Sequence, residues 1–340
     1  FTDYYLIERL RGTELRLQRP VPVGTALAFD APWEGRFAAC VTVLHDGELY
    51  RMYYRGKPDA SPDGQNEVTC YAESEDGKTF HKPDLGITAV GGNTIFDTHS
   101  GVGHNFSPFI DKNPDCPPEH RFKAMAGMHG TGIFALSSED GIHWSRFTEG
   151  PVVTSEAFAF DSQNVSFWSE AEGCYVFYFR TWKIEQGPWE TGYRWVSRST
   201  SPDFLHWSEP VEMETGDAPL EHLYTQQTHP YFRAPHIYIA LAARFWPDKR
   251  ALTPEQAAEI DVHPSYWGDV SDGVLMTSRG GNHYERTFLE SFLRPGPEPG
   301  NWVSRTNYPG LGVVPTGNGE MSLYAHCHYG QPTCHAARYT

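Results

Sequence analysis

The sequence predicts an all-β protein, a five-bladed β-propeller with four antiparallel strands per blade. Three observations predict it. A short turn motif recurs four times, the same order of strand-like segments surrounds each copy, and Gly and Pro are too frequent for a helical chain. The motif reads Ser74-Glu75-Asp76-Gly77-Lys78-Thr79-Phe80, then Ser138-Glu139-Asp140-Gly141-Ile142-His143-Trp144. It returns as Ser201-Pro202-Asp203-Phe204-Leu205-His206-Trp207 and, loosely, as Ser278-Arg279-Gly280-Gly281-Asn282-His283-Tyr284. The closing aromatic residues at 80, 144, 207 and 284 are separated by 64, 63 and 77 positions. Asp and Gly tolerate the backbone of a tight turn, and the aromatic side chain pins the strand that follows. The 32 Gly and 26 Pro of the 340 residues fit short strands joined by turns.

Each blade is then read in order. The first spans roughly residues 30–83, with strands at 37–44, 49–55, 67–74 and 80–82. The second, 104–150, places them at 106–111, 122–127, 132–138 and 145–147. The third, 160–213, places them at 164–168, 175–180, 193–199 and 209–212. The fourth, 221–294, offers 227–232, 237–244, 274–278 and a stretch near Phe288. The fifth, 305–340, offers only 312–315, 321–327 and 333–339, so the N-terminal segment Thr13–Pro20 is expected to supply its outer strand. One short helix is expected at Thr253-Pro254-Glu255-Gln256, where Thr caps and Gln completes a capping box. It lies in an insertion, 247–269, that accounts for the longest repeat interval.

Composition narrows the function classes. With 27 Lys+Arg against 43 Asp+Glu the net charge is −16, which argues against a nucleic-acid binder. No apolar run approaches the ~18 residues of a membrane span. A soluble chain is expected, its compartment open between bacterial cytoplasm, periplasm and secretion, and Phe1 leaves a signal peptide unassessed. The six Cys show no CxxC pair, so free, buried thiols are expected. Ten Trp, 18 Tyr and 20 Phe supply a large core; Trp144 and Trp207 are read as blade-to-blade packing.

In a propeller, the residues before each first strand and after each second strand ring one mouth of the central channel. Before the first strands lie Trp33-Glu34-Gly35, His104-Asn105, Asp161-Ser162-Gln163-Asn164, Glu221-His222-Leu223-Tyr224 and Arg305-Thr306-Asn307-Tyr308. After the second strands lie Arg55, His129, Arg180-Thr181-Trp182, Arg244-Phe245-Trp246 and His328. Carboxylates, amides and aromatic platforms in one funnel suit a sugar, whose CH face stacks and whose hydroxyls need fixed partners. Glu34, Asp161 and Glu221 are the candidate catalytic carboxylates, one acting as acid and another as base or nucleophile. Trp33, Arg55, His104, Asn105, His129, Gln163, Asn164, Arg180, Trp182, His222, Tyr224, Arg244, Asn307 and His328 are the candidate substrate-binding residues. Guanidinium groups at 55, 180 and 244 suit a carboxylate or sulfate on the sugar; the competing reading pairs each with Glu34, Asp161 or Glu221.

The layout resembles the five-bladed propeller glycoside hydrolases, the superfamily of families 32, 43, 62, 68, 117 and 130. It is more similar to a family-32-like bacterial group, through Pro32-Trp33-Glu34-Gly35, His104-Asn105-Phe106, Asp161-Ser162-Gln163-Asn164-Val165, Glu221-His222-Leu223-Tyr224-Thr225 and Pro230-Tyr231-Phe232-Arg233-Ala234-Pro235-His236. The resemblance implies a glycosidase on an oligosaccharide or polysaccharide-derived substrate, and a pocket narrowed by the 247–269 insertion is expected to make it exo-acting. The characterised families place a carboxylate in each of the first three blades; here the second offers His104-Asn105 and the fourth supplies Glu221. Phosphorolysis or lyase chemistry on the same scaffold, or a non-catalytic sugar-binding propeller, are the alternatives. No cofactor and no metal ligand set is expected. A structural channel ion stays an alternative, as does a histidine pair at His326 and His328, though no EF-hand-like loop appears.

Overall fold

The computed structural model describes residues 2–340 and is a five-bladed propeller. The first sheet runs Ala39–His45, Tyr50–Gly56, Val68–Ser74, Thr94–Phe96. The second runs Pro108–Ile110, Phe122–Met128, Gly132–Ser138, Ser145–Arg146, and the third Val165–Ser169, Cys174–Lys183, Tyr193–Ser201, Val211–Glu212. In the fourth, the inner edge is broken into His222–Thr225 and Thr228–Tyr231, both paired with the long Ala234–Trp246. Val270–Ser278 follows, and the outer edge is reduced to bridges at Glu285 and Leu293.

The fifth sheet closes the ring, with a correction to the expected register. Glu320–Cys327 pairs with His335–Tyr339, which pairs with Pro22–Ala28. Residues 13–20, expected for that role, carry no strand. Ala26, Leu27 and Phe29 are the side chains with apolar surface to bury there, and the Phe80 amide donates to the Ala26 carbonyl, seaming this strand to the first blade. Likewise the edge of the first blade is carried to Thr94–Phe96, with only a bridge from Glu73 to His81 where 80–82 was expected.

The repeated turn has one physical job. Asp76 Oδ1 accepts from the Lys78 amide at 2.8 Å, and Asp140 and Asp203 accept the equivalent amides at 2.8 and 2.9 Å. Each turn docks against a neighbouring sheet: Tyr53 of the first blade donates to the Gly141 carbonyl, and Tyr324 of the fifth donates to Gly77. Gly141 has φ 77°, and a Cβ there would lie 2.7 Å from the Tyr53 hydroxyl, so both conformation and contact exclude a side chain. Phe204 holds the same left-handed backbone at φ 71°, with its ring buried in the core. Trp144 packs edge-on against Phe106 and, across the blade boundary, against Tyr53, whereas Trp207 packs against Phe177 of its own blade.

Around the axis, the inner edges of blades one and five join through Val41, Val43 and Leu311. A chain of amides then crosses the channel. Gln163 donates to Thr42 Oγ1 at 2.7 Å, Gln227 donates to Gln163 Oε1 at 2.5 Å and also to the Pro309 carbonyl. These buried bonds tie blades one, three, four and five and floor the mouth above them. The helix Pro254–Glu259 has the expected capping box. All six cysteines are unpaired. No helix among the described residues is long and apolar enough to cross a membrane.

Candidate active site

A narrow cleft opens where the chain turns into the inner strands. Several of those turning residues hold a backbone that side chains avoid: Cys40, Asn105, Gln227 and Arg305 have φ of 59°, 50°, 44° and 56°. Such strain costs about 1–3 kcal/mol per residue and persists where surrounding structure enforces it, often beside a ligand.

Three groups of side chains converge there. The first is the wall from blades one and two. Arg55, at the end of the second strand, donates to Asn105 Oδ1 at 2.9 Å and lies 3.7 Å from Glu67. The loop between the second and third strands is anchored by Lys57, only 2% exposed, which binds Glu67 at 2.8 Å and Asp63 at 3.1 Å. Burial opposes the charge of both acids, but Arg55, His104 and Lys57 outweigh it and hold the Asp63 and Glu67 carboxyls below their usual range. His104 Nδ1 meets Glu67 at 2.7 Å, and its other nitrogen faces the Asn105 amide at 2.9 Å.

The second group is cationic and aromatic. Guanidinium carbons of Arg180, Arg194 and Arg305 lie 4.4, 5.5 and 5.6 Å from the centre of the Tyr224 ring. None of the three forms an ion pair among the described residues, and Arg180 Nη1 and Arg194 Nε have no partner. Burial lowers the Arg180 pKa from its usual value. Burial, followed by the charges of Arg194 and Arg180, pushes His222 down to about 4, so this imidazole adds no cation at neutral pH. Tyr308 and His326 line the cleft at 3% exposure, with the Tyr308 hydroxyl and both His326 nitrogens unpartnered. His326 is held neutral by burial, its pKa pushed down to about 3. Tyr266, from the 247–269 insertion, backs this wall 5.1 Å from the Tyr329 ring.

The third element is Asp161. It lines the cleft, and its carboxylate makes no hydrogen bond or ion pair among the described residues. One oxygen each of Asp63 and Asp161 and a nitrogen of His104 lie within 4.8 Å of one another. That trio is the set able to hold a metal ion, a set the sequence reading did not anticipate.

The expected residues therefore divide. Arg55, Asn105, Asp161, Gln163 and Tyr224 line the cleft, with His104 and Arg180 immediately behind. Gln163 sits at its floor with its amide spent on Thr42 and Gln227. His129, Trp182 and His222 do not line the cleft: His129 packs against Phe158, Trp182 against Trp189, and His222 lines a separate pocket with Glu185 and Tyr193. The others do not join it either. Glu34 is fully buried, accepting from Tyr54 at 2.5 Å, from the Ala31 amide at 2.8 Å and from Lys82 at 2.7 Å. Glu221 is held between Arg244 and Arg286, each at 2.7 Å, and Arg244 also clasps Asp272. Trp33 donates to Asn93, Asn164 to the Phe160 and Ser162 carbonyls, and Asn307 to Ser271 and Asn301. His328 turns away at φ 58° to pair with Thr333, so it forms no cluster with His326. In each of these the charge or polar capacity is already satisfied by neighbouring protein groups, most of them in the same turn or blade.

Replacing Glu34 by Gln separates these roles. The change is expected to leave the rate on an active aryl glycoside unchanged while lowering the unfolding free energy by about 1–3 kcal/mol, read by urea titration. A rate collapse at unchanged stability would restore Glu34 to the chemistry.

Asp63, Arg305, Tyr308 and His326 also line the cleft, with Glu67 and Arg194 beside it; none of the six was among the candidate catalytic or substrate-binding residues. Arg305 and Tyr308 were within the segment already placed at the mouth. Asp63 lay in Pro58-Asp59-Ala60-Ser61-Pro62-Asp63-Gly64, text that reads as a solvated turn.

No protein-family profile matches the sequence, and no curated protein matches it either. Solved structures match over nearly the whole chain. A glycoside hydrolase has 12% identity and a TM-score of 0.62, over 95% of this chain and 92% of its own. An N-acetylgalactosamine deacetylase from F. plautii, solved with blood group B trisaccharide, has 13% identity and a TM-score of 0.60, over 94% and 95%. A thermostable family-43 glycoside hydrolase has 12% identity and a TM-score of 0.57, over 90% and 89%. At these identities the likeness establishes the five-bladed propeller fold.

Proposed function

We propose that the protein is a glycoside hydrolase acting from a chain end on a sugar that bears a carboxylate or sulfate. The observation that carries this reading is the gathering of three guanidinium groups on the Tyr224 ring, without ion pairs, in a protein of net charge −16. Concentrating cations against the sign of the whole chain calls for an anionic partner, and guanidinium is suited to the two oxygens of a carboxylate or sulfate. The original trio of Arg55, Arg180 and Arg244 gives way to Arg180, Arg194 and Arg305, because Arg244 is neutralised by Glu221 and Asp272. The cleft is floored by the Gln163–Gln227 amides, which close the channel below it and suit a terminal sugar better than a threaded chain. The fold that the neighbouring glycoside hydrolases share supports the reaction class by analogy.

The carboxylates move accordingly. Asp161 and Asp63 replace Glu34 and Glu221 as the groups facing substrate, with facing oxygens no more than 4.8 Å apart. Inverting pairs need ~6.5–9.5 Å to hold a water between them, and retaining pairs ~5–5.5 Å. The separation therefore favours a direct carboxylate attack over a water held between the two acids.

The test is a panel of aryl glycosides of uronic, sulfated and neutral sugars. Acidic substrates should be hydrolysed preferentially, and equal rates across the panel would overturn the anionic specificity. Arg305→Ala should weaken kcat/KM on the acidic substrate about 10–100-fold, the worth of one charge-assisted hydrogen bond, and spare any neutral one. Sugar phosphate formed only with added phosphate would instead identify a phosphorylase, and an unsaturated product a lyase. Sugar binding without turnover would identify a binding propeller.

A further inference from the structure

We propose that Asp63, His104 and Asp161 bind one divalent first-row cation at the wall of the cleft. The three come from separate parts of the fold: the loop after the second strand of blade one, and the segments entering the inner strands of blades two and three. Propeller geometry, not a local sequence accident, brings their donor atoms within 4.8 Å.

The surroundings prepare those atoms as ligands. The Glu67 carboxylate lies 2.7 Å from His104 Nδ1, placed to accept its proton. Arg55 can only donate, so the Asn105 atom that it meets is the oxygen, and the Asn105 amide nitrogen faces His104 Nε2. Nε2 therefore carries the lone pair, the tautomer in which imidazole binds metal, with the carboxylate behind it that usually supports a ligating histidine. Asp161 makes no bond to the protein among the described residues, and Lys57 occupies only Oδ1 of Asp63. A cation bound at Nε2 would displace the Asn105 amide from it and leave the Glu67 support intact. Independently, the Tyr308 hydroxyl and the two His326 nitrogens line the same cleft, buried and unpartnered. A cation's water or a coordinated substrate oxygen meets their need.

The donor set selects the class of ion. Two carboxylate oxygens and one imidazole suit Mn²⁺ or Zn²⁺; Ca²⁺ demands six to eight oxygens. Three protein ligands leave positions open, the pattern of a working site and not of a structural one. The site's role in turnover rests on the reading that the cleft holds the sugar, while cation binding itself rests on the ligand geometry.

The test is calorimetric titration of the chelator-treated full-length chain with MnCl₂ and ZnCl₂, with bound metal counted after dialysis. One equivalent per chain is expected. Asp161→Asn and His104→Gln should each weaken binding at least tenfold, and Glu67→Gln by about 10–100-fold through loss of the support behind His104. Asp161→Asn removes no internal bond, so it remains informative even where His104→Gln fails to fold. The proposal is overturned if no equivalent binds, or if one equivalent persists with unchanged affinity in Asp161→Asn. A parallel titration with glucuronate keeps the two readings apart: metal without sugar binding defeats the substrate assignment alone, and sugar without metal defeats the cation site alone.

Discussion

Asp161→Asn is expected to lower turnover by about 10²–10⁴-fold, the usual worth of a positioned acid or base, while leaving the thermal transition near that of the parent. The two halves of this expectation have one cause. Asp161 is a carboxylate with no bond to the protein, so nothing in the fold depends on it, yet it faces the cleft beside Arg180 and Tyr224. Its amide is isosteric and can neither ionise nor hold a cation well, so a working role must be lost whichever way the acid acts. Initial rates on the best acidic aryl glycoside, with circular dichroism as the control, decide it. An Asn variant retaining more than a tenth of parental activity would remove Asp161 from the reaction. The contrast with Glu34 and Glu221 sharpens the point, since both are bound on each oxygen by cations or donors of their own blade.

That contrast also marks what the sequence could show. The blades were legible because their turn motif is local: Asp76, Asp140 and Asp203 bond to amides two residues onward, and such chemistry is written in consecutive residues. The cleft was legible only as a set of positions. Knowing that Glu34 precedes an inner strand does not reveal that its side chain folds back onto the Ala31 amide and out to Lys82. Residues 48 apart decide that orientation, and no spacing rule encodes it. Asp63 failed to show for the opposite reason. Its loop has the composition of a solvated turn, and only the buried Lys57 ammonium, reaching over to Glu67, turns it toward the axis. Arg194 was hidden within a strand, where its position suggested sheet and not site; its guanidinium lies across Trp182, Phe245 and the cleft-lining Tyr224. The closing strand was misplaced by eight to nine residues because Thr13–Pro20 resembles the outer-strand text before Pro83, whereas the strand that forms is the one carrying the buried Ala26 and Leu27, with Phe29 just beyond.

Lys57→Met is expected to have the largest effect on stability, lowering the unfolding free energy by about 3 kcal/mol. Lys57 is a buried ammonium with two carboxylates on it, and its removal leaves Glu67 supported only by His104 and a guanidinium 3.7 Å away. Breaking one side of a buried pair costs far more than the pair contributes, because the remaining charge keeps its desolvation penalty. Acid should expose the same linkage. Burial raises the Glu67 pKa, but Arg55, His104 and Lys57 pull it far below the unfolded value of 4.5. Below that value the unfolded chain takes up the proton first, so the stabilisation is complete above about pH 4.5 and drains as pH falls. In Lys57→Met this acid-dependent loss should be shallower, because less stabilisation remains to be titrated. Urea unfolding at pH 7, 5 and 4 reads both effects. The double variant Lys57→Met/Glu67→Gln should recover part of the loss, since it removes the uncompensated charge as well as its partner. Parental stability in Lys57→Met, or a double variant weaker than the sum of its parts, would show that the loop carrying Asp63 is held by something other than this ammonium.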